Sequence, residues 1–350
     1  MINVSVVIPT FRHQQTLREL LGSLERQTCS VPFEVIVVAN LPEVGLKKVV
    51  ESYGPRFRFH KTGKVGTNIA RNKGFDLARG QILLFVDDDS YLSDREFVQK
   101  HYNAHLQHPQ AIAIGGAYSP KSAMTTVETA YHWILDHRFL SVRLERDEAR
   151  TLMAGNVSLK RQTLEQRHRF DERNRFGASE ESFFAKLRSE QNLFLIFDSL
   201  SLEHRVHVGW FSLMRKGFYQ GYGRKLSQSD GNSLLERPHW NSKRPLAETF
   251  RSAHLAQTKT FRLAVRLYQK AYSYGEDLAI RDAVPRVATT AIKPTPRTRP
   301  EFSLARAIAI LVHGRRGKRL LRIARQTIVA VRGALALNET TVADSQASKV

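Results

Sequence analysis

The sequence is poor in cysteine and in long apolar runs. Cys29 is the one cysteine among 350 residues, so neither an intramolecular disulfide nor an all-cysteine zinc site can form, and we expect a reducing, cytoplasmic setting. The longest apolar stretch, around 303–312, is interrupted by Arg306. A spanning helix needs about 18 or more apolar residues, so none is predicted, and the amino-terminal residues show no export signal.

Acidic residues are also scarce. Asp and Glu total 33 against 54 Lys and Arg, which gives a formal net charge of +21. Residues 231–350 alone hold 22 basic and 8 acidic side chains. Such a surplus favours a polyanionic partner, nucleic acid or anionic lipid, although it says nothing about the fold. With 42% apolar residues, the chain is rich enough in them to build a folded core.

Short apolar runs alternate with helical patterns along the first 90 residues. The runs lie at 2–8, 33–39, 57–60 and 81–86. Strands in which apolar and polar residues do not alternate are typical of a sheet that helices cover on both faces. The sequence therefore predicts an α/β fold with a mostly parallel central sheet. Ligands bind such sheets at the carboxyl ends of the strands.

Two polar, proline-containing segments, 227–245 and 285–300, interrupt the later part of the chain. They predict a domain at 1–230, a linker with a helical segment at 231–300, and a basic helical extension at 301–350.

Three consecutive carboxylates, Asp87, Asp88 and Asp89, follow the fourth predicted strand. Their mutual repulsion is relieved by a divalent cation, and hard cations such as Mg²⁺ or Mn²⁺ prefer oxygen ligands. Asp87 and Asp89 share a face if the segment is extended. The alternative is a solvated acidic turn in which Asp94 caps the next helix.

Four sequence blocks stand in a fixed order along the chain. They read SVVIPTFRHQQTLRELLGSLERQT at 5–28, VGTNIARNKGFDLARGQILLFVDDDSYL at 65–92, AGNVSLKRQTLEQRHRFDER at 154–173 and GASEESFFAKL at 177–187. Together they resemble family 2 glycosyltransferases of the GT-A fold, over roughly residues 3–225. The resemblance implies a catalytic domain at 1–230 that transfers a sugar, with inversion, from a nucleotide-sugar donor to a carbohydrate or lipid-linked acceptor, with Mn²⁺ or Mg²⁺ as cofactor.

On the donor side, the resemblance implies that Pro9 and Thr10 border the base and ribose, and that Arg71 and Asn72 support the nucleotide pocket. The alternative for Arg71 is a structural ion pair with the aspartates. In the members of this family an aspartate commonly follows the second strand and contacts the base. Here Asn40 stands nearby instead, so we expect an altered contact and leave the base open.

The three aspartates take separate roles by the same resemblance. Asp87 contacts the ribose or shares the metal, Asp88 belongs to the nucleotide pocket, and Asp89 holds the metal. His204 is expected to complete the metal coordination, with His207 as its nearest rival.

On the acceptor side, Asn156 belongs to a segment that resembles the family's sugar-binding GGN. Glu180 and Glu181 stand where the family usually has Glu-Asp. The second acid is the expected general base, which gives Glu181 this role and leaves Glu180 to orient the acceptor. The alternative is that Glu181 only stabilises a helix amino terminus.

The extension at 302–335 contains no acid and clusters basic residues beside apolar positions, namely Arg315, Arg316, Lys318, Arg319, Arg322 and Arg325. It is predicted to lie on an anionic membrane, which places the chain on the inner face of the cell membrane. The alternative is an ordinary amphipathic helix packed on the catalytic domain.

Two other classes of protein compete with the glycosyltransferase interpretation. The first is a basic protein that binds nucleic acid or another polyanion, although no strand interleaves aromatic and basic residues, so nucleic acid is not the expected partner. The second is a degenerate relative that binds without catalysis, because Ala39 and Glu181 depart from the family pattern. A dehydrogenase is excluded, since no glycine follows the first strand.

Overall fold

The structure is a computed structural model that describes residues 2–11, 14–41, 44–164, 168–172, 180–190, 192–229 and 258–283, and residues 302, 303, 306, 307 and 310. The chain divides into two compact units, Met1–Pro300 and Glu301–Val350. All elements below belong to the first unit. In the second, the predicted basic helix at 302–335 lies almost entirely outside the described residues.

Eight strands and nine helices are present in the described parts of the first unit. The strands are β1 (Val4–Thr10), β2 (Phe33–Ala39), β3 (Phe57–Lys61), β4 (Ile82–Val86), β5 (Ser90–Tyr91), β6 (Ala111–Pro120), β7 (Asn156–Lys160) and β8 (Leu193–His204). The helices are α1 (Gln14–Glu25), α2 (Leu46–Glu51), α3 (Thr67–Leu77), α4 (Phe97–Gln107), α5 (Thr126–Val142), α6 (Arg161–Leu164), α7 (Glu181–Ser189), α8 (Trp210–Ser229) and α9 (Lys259–Ala283).

The strands form one sheet in the order β3-β2-β1-β4-β7-β6-β8-β5. In this order, the adjacent strands among β3, β2, β1 and β4 are parallel, and β6 is parallel to β8. The pairs β4–β7, β6–β7 and β5–β8 are antiparallel. The predicted α/β class with a mostly parallel sheet is confirmed, and the three antiparallel pairs make the sheet mixed. A strand covered on both faces is apolar in either direction, so its sequence carries no sign of orientation.

Helices cover both faces of the sheet. Along β1, Val6 and Ile8 pack into one apolar cluster, with α1 among its elements, while Val7 packs into another, which α3 joins. This alternation follows from the period of two in a strand. At Gly74 of α3, an added Cβ would lie 2.2 Å from Cγ1 of Val7, so glycine permits the close approach of helix and sheet.

Helix α9 packs against α8 and α5. An added Cβ at Gly217 would lie 2.7 Å from the carbonyl oxygen of Tyr268, and one at Gly221 would lie 2.0 Å from that of Tyr272. The two helix backbones therefore touch without intervening side chains. Tyr268 and Tyr272 are buried in the same apolar cluster as Val6 and Ile8 of β1. Throughout the described chain, every helix falls short of the length and apolarity that crossing a bilayer demands.

Candidate active site

A cavity of about 510 Å³ opens where β1, β2 and β4 end at their carboxyl termini. This is the edge at which parallel sheets bind ligands. Most of the predicted site residues line it, namely Pro9, Thr10, Asn40, Arg71, Asp87, Asp88, Asp89, Glu180 and His204. Three others, Asn72, Asn156 and Glu181, are absent from its lining.

Asp88 fastens the end of β1 to the end of β4. Its Oδ2 accepts hydrogen bonds from Oγ1 of Thr10 at 2.5 Å and from the backbone nitrogen of Phe11 at 3.2 Å. Burial raises the pKa of Asp88 well above its usual value, and the charge of Asp89 adds to this rise. Asp88 thereby shapes the cavity wall that Pro9 and Thr10 form.

Asp87 pairs with Arg71 of α3. Nη2 of Arg71 donates to Oδ1 of Asp87 at 3.1 Å, and the hydroxyl of Tyr118 donates to Oδ2 at 3.5 Å. Burial raises the pKa of Asp87, while Arg71 opposes that rise. The structural ion pair considered for Arg71 is therefore present, and Arg71 lines the cavity as well.

Asp89 lies beside His204 because the short strand β5 pairs with the end of β8, setting Ser90 opposite His204. Nε2 of His204 is 3.3 Å from Oδ2 of Asp89, and the imidazole stacks on Tyr118 with ring centroids 4.7 Å apart. His207 is exposed, contacts Glu128 and is absent from the cavity lining. No group of three or more His, Cys, Asp or Glu side chains in the described residues has an arrangement that could hold a metal ion.

Glu180 and Glu181, at the start of α7, have different surroundings. Glu180 lines the cavity, whereas the side chain of Glu181 is 4% exposed and lies outside the lining. Burial raises the pKa of Glu181 to about 7, against the opposing charge of Arg138. The predicted base therefore does not reach the cavity, and its neighbour does. Adjacent residues at a helix start point about 100° apart, so only one of them faces the cavity.

The three predicted asparagines are buried and make hydrogen bonds within the protein, and of the three only Asn40 also lines the cavity. Oδ1 of Asn40 accepts from the backbone nitrogen of Gly66 at 2.9 Å, which holds the start of α3 against the end of β2. Asn72 exchanges hydrogen bonds with the backbone of Phe170, and Asn156 donates to the carbonyl oxygens of Ala117 and Leu200. In place of Asn156, the preceding Gly155 lines the cavity.

Sequence reasoning missed the cavity walls supplied by α5 and α8. Helix α5 contributes Tyr131, Leu135 and Arg138, which share one helical face at spacings of four and three. Helix α8 contributes a cationic and polar face, made of Arg215, Lys216, Tyr219 and Gln220. The helical spacing of these α8 residues is visible in the sequence after His204 and could have indicated that they share one face of a helix. Helical periodicity alone, however, cannot distinguish a face that lines a cavity from one that faces solvent.

Residues 5–168 match the model of the family described as Glycosyl transferase family 2. This match spans 164 of the 350 residues, and the fold of the chain is the predicted GT-A fold. The mannosyltransferase PcManGT from Pyrobaculum calidifontis, solved in complex with GDP-Man and Mn²⁺, has a similar fold. Its TM-score is 0.52 at 17% identity, and the match covers 79% of this chain and 75% of that one.

Several curated proteins are similar over shorter stretches. The uncharacterized glycosyltransferase YfnE of Bacillus subtilis is 36% identical over 117 residues, which are 33% of this chain and 30% of YfnE. The glucosyl-dolichyl phosphate glucuronosyltransferase of Haloferax volcanii is 23% identical over 247 residues, or 64% of this chain and 77% of that protein. The chain thus spans about a third of the length of YfnE and most of the second protein.

Proposed function

We propose that this chain transfers a glycosyl group from a nucleotide-sugar donor to a hydroxyl acceptor, by a single displacement that inverts the anomeric centre. One observation carries the proposal. The aspartates after β4 and the carboxylate of Glu180 border the same cavity, together with cationic residues from α3 and α8. Glycosyl transfer needs these groups together, because an anionic leaving group departs while a hydroxyl loses its proton.

Arg71, Arg215 and Lys216 suit the diphosphate of a nucleotide sugar. All three line the cavity. Arg71 already holds Asp87, and its guanidinium fork suits an anionic oxygen as well. Burial lowers the pKa of Lys216, while the nearby aspartates oppose this and favour its charged form. We assign these cations to stabilising the nucleoside diphosphate as it leaves.

Glu180 is our candidate for the general base, in place of Glu181. It lines the cavity, and Nη2 of Arg138 fixes its Oε1 at 3.2 Å. A base must reach the acceptor hydroxyl, and the burial of Glu181 outside the cavity argues against that role for it. The carboxylate of Glu180 would take the proton as the acceptor oxygen attacks the anomeric carbon.

A divalent metal fits the donor set at Asp89 and His204. Their oxygen and nitrogen atoms lie 3.3 Å apart, and both side chains line the cavity. Mn²⁺ and Mg²⁺ accept such ligands. The mannosyltransferase of similar fold was solved with GDP-Man and Mn²⁺, which supports the same cofactor here. Asp89 and His204 would hold the ion, and the ion would supply Lewis-acid stabilisation of phosphate oxygens.

The test uses the purified full-length chain and a panel of UDP- and GDP-sugars, with release of nucleoside diphosphate as the readout. We expect one donor to be hydrolysed with Mn²⁺ or Mg²⁺ and not with EDTA. Asp89→Asn and Glu180→Gln should each lower the rate at least about a hundredfold. Asp198→Asn, which alters an exposed ion pair with Arg143, is the matched control.

Two results would contradict these assignments. Full activity of Asp89→Asn in EDTA would rule out the metal role, and a retained anomeric configuration in the product, read by NMR, would rule out single displacement. If no donor in the panel is cleaved by the wild-type chain, the transferase proposal fails for those donors and the binding-only alternative gains support.

The extension at 302–335 supports a second, separate part of the proposal, that the chain rests on an anionic membrane near lipid-linked acceptors. Its acid-free, cation-rich sequence is the support. Co-sedimentation of the full-length chain with anionic and neutral vesicles tests it. Stronger pelleting with anionic vesicles, lost when Arg315, Arg316, Lys318 and Arg319 become glutamine, is the expected result. Equal pelleting with both vesicles would refute it.

A further inference from the structure

Two acids share one arginine at the edge of the cavity. Nη2 of Arg138 lies 3.2 Å from Oε1 of Glu180 and 3.1 Å from Oε1 of Glu181. The side chains of Arg138 and Glu180 are 17% and 13% exposed, and both line the cavity, whereas Glu181 is 4% exposed and does not. A cavity-facing carboxylate and an interior carboxylate are thus joined through the same guanidinium nitrogen.

The charges of the three groups depend on one another. Burial works to lower the pKa of Arg138, but Glu180 and Glu181 outweigh it and raise that pKa, so the guanidinium stays charged. Burial raises the pKa of Glu181 to about 7, with Arg138 opposing and Glu180 adding to the rise. The second oxygen of Glu181 is buried and has no hydrogen-bond partner among the described atoms. Glu181 therefore changes charge near neutral pH, far above the usual range of glutamate.

Other charged and titratable groups surround these three side chains. They are Arg224 on α8, Glu276, Tyr268 and Tyr272 on α9, Asp87 after β4, Tyr118 on β6 and Tyr131 on α5. Arg224 and Glu276 pair at 2.6 Å and offset each other. Burial raises the pKa of all four tyrosines, so they stay neutral near pH 7. Asp87 is held by Arg71.

We infer that Arg138 and Glu181 are positioning residues that together set how strongly Glu180 binds a proton, an inference that rests on the proposed role of Glu180 as the base. Alone, Arg138 would stabilise ionised Glu180 and make it a weaker proton acceptor. Ionised Glu181 offsets part of the positive charge of the Arg138 guanidinium, and this makes Glu180 a stronger proton acceptor again. When Glu181 is protonated, it no longer offsets the positive charge of Arg138, and Glu180 again becomes a weaker proton acceptor. Activity is therefore expected to rise as Glu181 ionises.

The experiment measures kcat/KM against pH, with the UDP- or GDP-sugar that the wild-type chain cleaves, for the wild type and for Glu181→Gln. The wild type should show a rise centred near pH 7. Glu181→Gln should lack this rise and lose about threefold to tenfold of kcat/KM above pH 8, with the KM for the donor unchanged. Asp198→Asn is again the control, with a wild-type profile expected.

A double-mutant cycle with Arg138→Gln checks the coupling. Arg138→Gln should move the pH profile to higher pH. The double variant Arg138→Gln/Glu181→Gln should lack the rise near pH 7, as Glu181→Gln does, but should regain the wild-type kcat/KM above pH 8, because cation and counter-charge leave together. A second readout needs no substrate. In full-length protein labelled with ¹³C at the glutamate carboxyls, the Glu180 signal should titrate at lower pH in Glu181→Gln and at higher pH in Arg138→Gln.

The outcomes separate this inference from the proposed function. If Glu180→Gln is inactive but Glu181→Gln leaves both the pH profile and the Glu180 titration unchanged, the positioning role is refuted and the base assignment stands. If Glu180→Gln keeps full activity, the base assignment itself is refuted, and the positioning role falls with it.

Discussion

Replacing Gly155 by alanine tests how closely the cavity is built around Asp87. A Cβ added at Gly155 would lie 2.0 Å from Oδ2 of Asp87 and 2.2 Å from the hydroxyl of Tyr118. Ordinary contacts begin at about 3.4 Å, so unless the backbone of Gly155 shifts, Asp87 must move by about 1.4 Å and Tyr118 by about 1.2 Å. Asp87 is 3.1 Å from Arg71, and a displacement of that size breaks the hydrogen bond.

Two magnitudes follow from this displacement. Overpacking a tight site costs about 1–3 kcal/mol of the free energy of unfolding. Displacing a catalytic group by about 1 Å lowers the rate by about a hundredfold. Urea unfolding and release of nucleoside diphosphate measure the two effects.

The matched control for this substitution is Gly209→Ala, because an added Cβ at Gly209 would meet no atom within 4 Å. Its stability and activity should equal those of the wild type. Wild-type activity and stability in Gly155→Ala would show that the contact of Gly155 with Asp87 does not shape the site, and would refute the reasoning.

Two further predictions concern stability. Gly221→Ala should lower the free energy of unfolding by about 1–3 kcal/mol, because its Cβ would lie 2.0 Å from the carbonyl oxygen of Tyr272, and an unchanged urea midpoint would contradict the contact between α8 and α9. Burial lowers the pKa of His101 to about 3 and that of His105 to about 4, below the 6.5 of the unfolded chain. Their contribution to stability is therefore complete above pH 6.5 and is lost as the pH falls toward 4, by up to about 2 kcal/mol each at pH 5. Urea unfolding at pH 7 and pH 5 should show this loss in the wild type and a smaller one in His101→Gln/His105→Gln.

The first strands could be predicted from sequence because strands that are buried on both faces consist of uninterrupted apolar runs. β1 and β2 lie at 4–10 and 33–39, as the runs at 2–8 and 33–39 indicated. β8 is one continuous strand of 12 residues. The exposed Asp198 interrupts the apolar pattern of β8. The strand nevertheless continues, because β8 pairs with β6 on both sides of a nearby shift in register.

The site was predictable where a side chain directly follows a strand. Asp87, Asp88 and Asp89 are such residues, because strand ends reach the cavity whatever the details of packing. The choice between Glu180 and Glu181 depended on the rotation of one short helix about its axis, which no local pattern specifies. The cavity walls from α5 and α8 depended on how whole helices dock, and their sequences fit an ordinary buried face equally well.

The glycine contacts between α8 and α9 constrain how this protein can diverge. Because the backbone of α9 rests directly on Gly217 and Gly221, a larger residue at either position displaces one helix against the other. Another side of α8 carries Arg215 and Lys216 into the cavity, so that displacement reshapes the wall. Mutations that alter the wall from α8 must then be matched on α9. The two helices are expected to covary through evolution, while the strands behind the aspartates stay unchanged.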